Sequence, residues 1–245
     1  MEKTIQVDSW QVRTCRASDE TVALMHALQQ NDHRQILKDD SQTLVYRITH
    51  AGEDLVVKSP RRRNRSGVER LRTLVRAGKA MRMWRGLCKL HELEISVPEP
   101  VLLAQRRRWG MIVDSFLVYR YVPGEPITAA DIPAVDALLD RLHAYGYLRH
   151  DPGDHNYLKS GNDIVCIDVT LRKPFFFKKT QCLLEHLSFH QHRPEMWLFY
   201  HAPSVPAWQL RTLLAYQRCK SAIRDKRRCL KGKIRNTCNR NNPSV

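Results

Sequence analysis

The chain reads as an α+β protein, sheet-rich in its first half and helical in its second. Three observations carry that reading. Residues 35–58 and 111–122 are dense in β-branched and aromatic residues bounded by turn signals. Residues 68–92 and 131–145 repeat apolar residues at three- and four-residue steps. A short apolar run, Ile164 to Ile167, ends on the aspartate Asp168.

In order along the chain, residues 35–58 predict two or three strands. Gln42 to Thr49 is β-branched and aromatic-rich, His50-Ala-Gly-Glu-Asp54 is a turn signal, and Leu55-Val-Val-Lys58 is a short strand ending on a lone lysine. Residues 68–92 predict a helix with Leu71, Leu74, Met81, Trp84 and Leu87 on one face, arginines on the other and a break at Gly78. Pro98 and Pro100 end the helical stretch and lead into a strand to residue 104. Met111 to Val122 reads as a strand pair that closes before the turn Pro123-Gly-Glu-Pro126. Asp131 and Pro133 are good helix-start residues, and Val135, Leu138, Leu139 and Leu142 make one apolar face ending near Tyr145-Gly146. From residue 175 the pattern is helical with interruptions, through Leu183–Leu187 and Trp208–Tyr216, and periodicity fades over the last 25 or so residues.

At 245 residues, 28.6 kDa and 42% hydrophobic content, the chain is long enough to bury a real core. No run approaches the roughly 20 apolar residues of a membrane helix, and Met1-Glu-Lys-Thr-Ile-Gln6 has no apolar signal core, so a cytosolic setting is expected. Seven cysteines, odd in number and without a C-x-x-C pair, argue against a disulfide framework. The net charge of +16 is concentrated: residues 61–89 hold eleven Lys or Arg against Glu69, and residues 218–245 hold ten against Asp225. The remainder is slightly acidic. Charge so arranged points to a polyanionic partner such as anionic lipid or a phosphorylated glycan. Nucleic acid is disfavoured, because no recognised binding motif is present and the basic stretches carry almost no aromatic residue besides Trp84.

The most informative stretch is 148–170. Asp151 and Asn156 form a D-x4-N pattern, and Asp168 follows twelve residues later at the end of its apolar run. Phosphoryl transfer from a nucleotide needs such a set: one carboxylate orients the attacking hydroxyl, and an amide with a second carboxylate holds metal ions on the phosphates. Asp151 is the candidate base, and Asn156 and Asp168 are the candidate Mg²⁺ ligands. Lys58, at the end of its strand, is the candidate partner of the ATP phosphates. His186, His190 and His192 with Glu185 would converge on one helix face, but they make no complete metal-ligand set.

With these residues in view, His143 to Thr170 resembles the lipopolysaccharide core heptose kinases, most closely their heptose(II) kinase branch. The shared features are the Leu142-His143 of the preceding helix, Asp151-Pro152, the D-x4-N spacing and Ile167-Asp168. The likeness is convincing over about 30 residues, loose over 35–175 and absent beyond about 190. It implies a protein-kinase-like two-lobed fold with a sheet-rich N-lobe and a helical C-lobe. It also implies ATP with Mg²⁺, and phosphorylation of a heptose hydroxyl of lipid A-core lipopolysaccharide at the inner face of the inner membrane. The expected organisation is a single kinase-like domain over 1–217, N-lobe about 20–122 and C-lobe about 123–217, followed by a basic tail over 218–245. That tail and the basic stretch 61–89 would meet substrate phosphates or an anionic bilayer.

The chain departs from the kinase pattern in three places. Arg149-His150-Asp151 stands where kinases have His-Arg-Asp. No glycine-rich loop precedes Lys58, and Asp39-Asp40-Ser41 would offer only backbone amides. Met83 stands near the place of the glutamate that pairs with the lysine. Two other readings compete: a kinase of a small soluble hydroxyl substrate, and a non-enzymatic nucleic-acid-binding basic protein.

Overall fold

The computed structural model describes residues 2–30, 34–61, 67–149, 151, 153–190, and positions 206, 208–209, 211–212, 215–216, 219 and 222. It divides into two compact units, Met1–Lys173 and Pro174–Val245. The division falls inside the span 1–217 that the sequence reads as one domain.

The first unit opens with a seven-stranded antiparallel sheet. Its strands are β1 (Lys3–Val7), β2 (Trp10–Thr14), β3 (Gln35–Asp39), β4 (Thr43–His50), β5 (Glu53–Pro60), β6 (Pro100–Arg108) and β7 (Met111–Arg120), in spatial order β1-β2-β6-β7-β5-β4-β3. Helix α1 (Ser18–Gln30) joins β2 to β3. A short α2 (Gly67–Arg72) and the longer α3 (Lys79–Glu92) lie between β5 and β6. The expected turn at His50–Asp54 is a two-residue hairpin loop, with Ala51 at φ 51° and Gly52 at φ 79°, the left-handed pair that matches strand twist.

Period-two alternation divides this sheet's residues between its faces. Leu55 and Val57 of β5 join Val12, Ile48, Leu102, Ala104 and Val118 in a buried cluster with Leu24, Met25 and Leu28 of α1. Lys58 falls on the other face with Val56, and α3 packs against β5, β6 and β7. That helix buries Met81, Met83, Trp84, Leu87 and Leu90.

Four expectations need correction. The β1–β2 hairpin and α1 went unread, so the sheet starts at Lys3, ahead of the boundary near residue 20. Residues 111–122 are not a strand pair: β7 is one strand, forming a hairpin with β6 across the Trp109-Gly110 turn and pairing with β5 on its other edge. The helix over 68–92 is two helices, because residues 73–78 interrupt it and Gly78 caps the second. Leu71 and Leu74 consequently sit outside α3's buried face and are exposed.

After β7 come β8 (Glu125–Pro126), a 3-10 turn (Ala129–Asp131) and α4 (Ile132–Ala144), which buries Val135, Leu138, Leu139 and Leu142 as expected. Gly146, at φ 78°, ends it. Four short strands follow: β9 (Leu148–Arg149), β10 (Tyr157–Ser160), β11 (Asp163–Cys166) and β12 (Leu171–Arg172). Pairing of β9 with β12 and of β10 with β11 brackets the two loops that carry the motif residues. This is the kinase-like arrangement anticipated above, a sheet-rich N-terminal part followed by helices, with the lysine on the sheet and the D-x4-N loop after a helix.

The second unit holds α5 (Lys178–Phe189) and helical residues among 208–222. Glu185, His186 and His190 are buried there; His192 lies outside the described residues, as does most of the 218–245 tail. No helix among the described residues is long and apolar enough to cross a membrane.

Asp131 shows how the start of α4 is held. Its carboxylate accepts hydrogen bonds from Lys159 Nζ at 2.7 Å and from the Thr128 amide and hydroxyl at 2.8 and 2.7 Å. Lys159 chiefly, helped by Thr128, lowers its pKa from 3.8 to about 2. A carboxyl depressed on folding stabilises the fold above its unfolded value, and that stability drains away as pH falls toward the folded value. The melting temperature should therefore drop between about pH 4 and pH 2 more steeply for wild type than for Asp131→Asn, which keeps the turn but loses the titration.

Candidate functional site

Lys58 and Asp168 meet. Lys58 projects from β5, held between Val45 of β4 and Leu117 of β7, and its Nζ lies 2.9 Å from Asp168 Oδ2. The lysine side chain is 12% exposed and the aspartate 34%. Burial pushes the ammonium below its ordinary range, and the Asp168 carboxylate only partly restores it. Burial would raise Asp168, but Lys58, with Lys79 and Arg149 behind it, holds the carboxyl below its ordinary value. The shift of Asp168 favours its ionised form, the form in which a carboxylate can hold a metal ion. The lysine's partner is this aspartate; Met83 is buried in α3, and the side chain of Glu69 lies outside the described residues.

Asp168 sits at φ 51°, a left-handed conformation that aspartate tolerates better than most side chains. The peptide just before it is fixed from two sides. Ile167 N–H donates to the Asn156 carbonyl at 2.9 Å, and Arg149 Nη2 donates to the Ile167 carbonyl at 3.1 Å. Arg149 is 2% exposed, with its guanidinium 4.4 Å from the centre of the Tyr157 ring. The residue that displaces the kinase histidine therefore ties the D-x4-N loop to the strand end bearing Asp168. Sequence reading recorded Arg149 only as a departure; a basic residue between the apolar Leu148 and the motif was the available signal.

Asn156 is buried, and its Nδ2 donates to the Asp151 carbonyl at 3.0 Å, which leaves its side-chain oxygen facing away from that bond. The Asp151 carboxylate is 67% exposed, accepts the Gly153 amide at 3.3 Å, and lies 3.9 Å from His155 Nε2. His155, also exposed, is a neighbour the sequence did not flag. His150 and Pro152 lie outside the described residues. The structure thus joins Lys58 to Asp168 directly and joins Asn156 to both motif loops. Asp151 is placed at the solvent end of its loop. Carboxylate and amide oxygens are hard donors, so Asn156 with Asp168 fits Mg²⁺, and Lys58 fits a phosphate.

The loop between β3 and β4 uses several of its amides internally. Asp40 Oδ1 accepts the Gln42 and Thr43 amides, both at 2.7 Å, so these amides are spent within the loop. Those two bonds lower the Asp40 pKa, with Lys38 3.2 Å from its other oxygen. Asp39 pairs with Arg61 at 2.8 Å. Within Asp39-Asp40-Ser41 itself, the Asp40 amide donates to the Thr43 carbonyl at 3.1 Å.

Helix α3 presses on the segment after Asp168. A Cβ on Gly86 would lie 2.9 Å from Val169 Cγ1 and 3.1 Å from the Val169 carbonyl oxygen. Alanine in a helix interior ordinarily adds about 1 kcal/mol over glycine, whereas overpacking against backbone costs about 1–3 kcal/mol. Gly86→Ala should therefore lower the melting temperature rather than raise it, because the carbonyl cannot rotate away as a side chain would.

No protein-family model matches the chain, and no curated protein does. Among solved structures, it is similar to one described as WaaP in complex with acyl carrier protein. The identity is 17%, the likeness covers 82% of this chain and 86% of that one, and the TM-score is 0.46. It is also similar to the PknI kinase domain of Mycobacterium tuberculosis, at 15% identity over 69% of this chain and 62% of that one, with a TM-score of 0.37.

Proposed function

We propose that the chain is an ATP-dependent phosphotransferase whose acceptor is a heptose hydroxyl of the lipopolysaccharide inner core. The observation that supports it most is the Lys58–Asp168 pair at 2.9 Å, beside a D-x4-N loop whose Asn156 is bonded to both motif segments. In this reading the Asp151 carboxylate, open to solvent, receives the acceptor and orients its hydroxyl, taking the proton as the oxygen attacks. Lys58 turns from Asp168 toward the nucleotide phosphates and offsets their charge. Asn156 and Asp168 hold Mg²⁺, which supplies charge neutralisation on the phosphates when bound. Arg149 and Asn156 keep the Ile167 peptide fixed while Lys58 changes partner.

The acceptor class rests on the resemblance of His143–Thr170 to the heptose kinases and on the charge of +16, which suits an anionic glycolipid better than a cationic small molecule. The same charge supports peripheral contact with an anionic membrane at its cytoplasmic face, through 61–89 and the 218–245 tail. The test is ADP release by the full chain with Mg²⁺ and ATP, comparing dephosphorylated core lipopolysaccharide with soluble amino-sugar and choline-like acceptors. The reading expects stimulation by the core alone. Stimulation by a soluble acceptor alone would reassign the substrate.

A further inference from the structure

The stretch that opens the second unit carries exposed aromatic side chains that the site above does not use. Phe175, Phe176 and Phe177 are 87%, 67% and 37% exposed. Phe175 and Phe176 meet edge to face with ring centres 4.6 Å apart. Phe177 meets Trp208, itself 58% exposed, in the same way at 5.5 Å. One exposed apolar residue is ordinary on a protein surface, but two touching aromatic pairs within one small unit are not.

Cations flank the rings. Arg172 and Lys173 precede them, Lys178 and Lys179 follow them, and no acidic residue occurs from Val169 to Leu184. Lys178 and Lys179 are exposed and open α5, at the end of a helix where the macrodipole disfavours positive charge. Helix stability therefore does not account for them. Part of the backbone beneath the rings is already bonded. Pro174 has no N–H to satisfy, the Phe176 carbonyl accepts from Gln181 Nε2, and the Phe177 carbonyl accepts the Gln181 amide at 2.9 Å. Carbonyls bonded within the chain lower the cost of moving this stretch out of water.

Lysine is depleted at protein–protein interfaces, whereas aromatic rings beside Lys and Arg are the composition of a segment that lies in a membrane interface. We propose that residues 174–179 are an apolar anchor for an anionic bilayer. Phe175 and Phe176 enter the boundary between headgroups and acyl chains, and Lys178 and Lys179 meet the anionic headgroups. This adds insertion of rings to the contact by charge alone through 61–89 and the tail. It rests on that proposed membrane contact, and not on phosphoryl transfer.

The experiment uses the full chain without ATP or Mg²⁺ and reads co-sedimentation with vesicles of phosphatidylcholine containing about one-third phosphatidylglycerol, an anionic surface. Phe175→Ser/Phe176→Ser leaves every charge in place, and because both rings are exposed the melting curve should not move. It should weaken binding by about tenfold or more. Phe175→Leu/Phe176→Leu keeps the apolar surface and should stay within about threefold of wild type. Lys178→Gln/Lys179→Gln should weaken binding by about fivefold or more and make it less sensitive to salt. If the serine pair binds vesicles as wild type does, the anchor is overturned while the contact through the charged stretches survives. If wild type does not bind at all, both fall. The proposal is also overturned if the leucine pair loses as much binding as the serine pair. A wild-type dimer that the serine pair converts to monomer, with vesicle binding unchanged, would assign the rings to a second copy of the chain and overturn it as well. So would loss of polyuridylate binding in the serine pair with vesicle binding unchanged, which would assign them to nucleic acid.

Discussion

Asp168→Asn is expected to lower phosphoryl transfer by about 10²–10³-fold or more, since the proposed site would lose its metal-binding charge. The substitution should leave the backbone undisturbed. Asp168 sits at φ 51°, and asparagine accepts that conformation at least as well as aspartate, so the turn after β11 should persist. What disappears is the charge 2.9 Å from Lys58 and the anionic oxygen for Mg²⁺. The apparent Mg²⁺ requirement at fixed ATP should therefore rise together with the loss of turnover. Lys58, only 12% exposed, then loses the group that favours its charged form, and its pKa should fall further. Titration of Mg²⁺ against initial rate checks this, and an unchanged metal dependence would count against the assignment.

The second large effect belongs to Asp151→Ala. Removing a general base costs about 10²–10⁴-fold in rate. Asp151 is 67% exposed and contributes one amide bond, from Gly153, so its removal should barely move the melting temperature. Rate loss without destabilisation separates a residue that handles the hydroxyl from one that packs the loop. Retained turnover with a wild-type melting curve would show that another group orients the acceptor, and His155, 3.9 Å away, would be the first to test.

The lysine strand, α4 and the D-x4-N loop were legible because each is written in local pattern. Lys58 closes an apolar run, α4 has its buried face at i, i+3, i+4 and i+7, and Asp168 ends a β-branched run. The partner of Lys58 was not legible, because an ion pair between β5 and the end of β11 depends on how the two segments meet in space. Arg149 was passed over for a similar reason: its role comes from the Ile167 carbonyl and the Tyr157 ring, which no spacing rule connects to it. The β1–β2 hairpin is short and half exposed, so its alternation is weak in Lys3–Thr14. The break at residues 73–78 was hinted at by Gly78, but the apolar rhythm of Leu71 and Leu74 ran through it, and only the exposure of those leucines shows the rhythm to be false.

The central claim is that the Lys58–Asp168 pair and the Asp151 loop form one phosphoryl-transfer site. The most direct measurement is ³¹P NMR of dephosphorylated core lipopolysaccharide incubated with Mg²⁺, ATP and the full chain, run alongside Lys58→Met and Asp151→Ala. The account predicts a new phosphomonoester resonance on the acceptor with wild type, growing as ADP forms, and its absence over the same period with either variant. The same resonance at the same rate in both variants, with their folds intact, would contradict it.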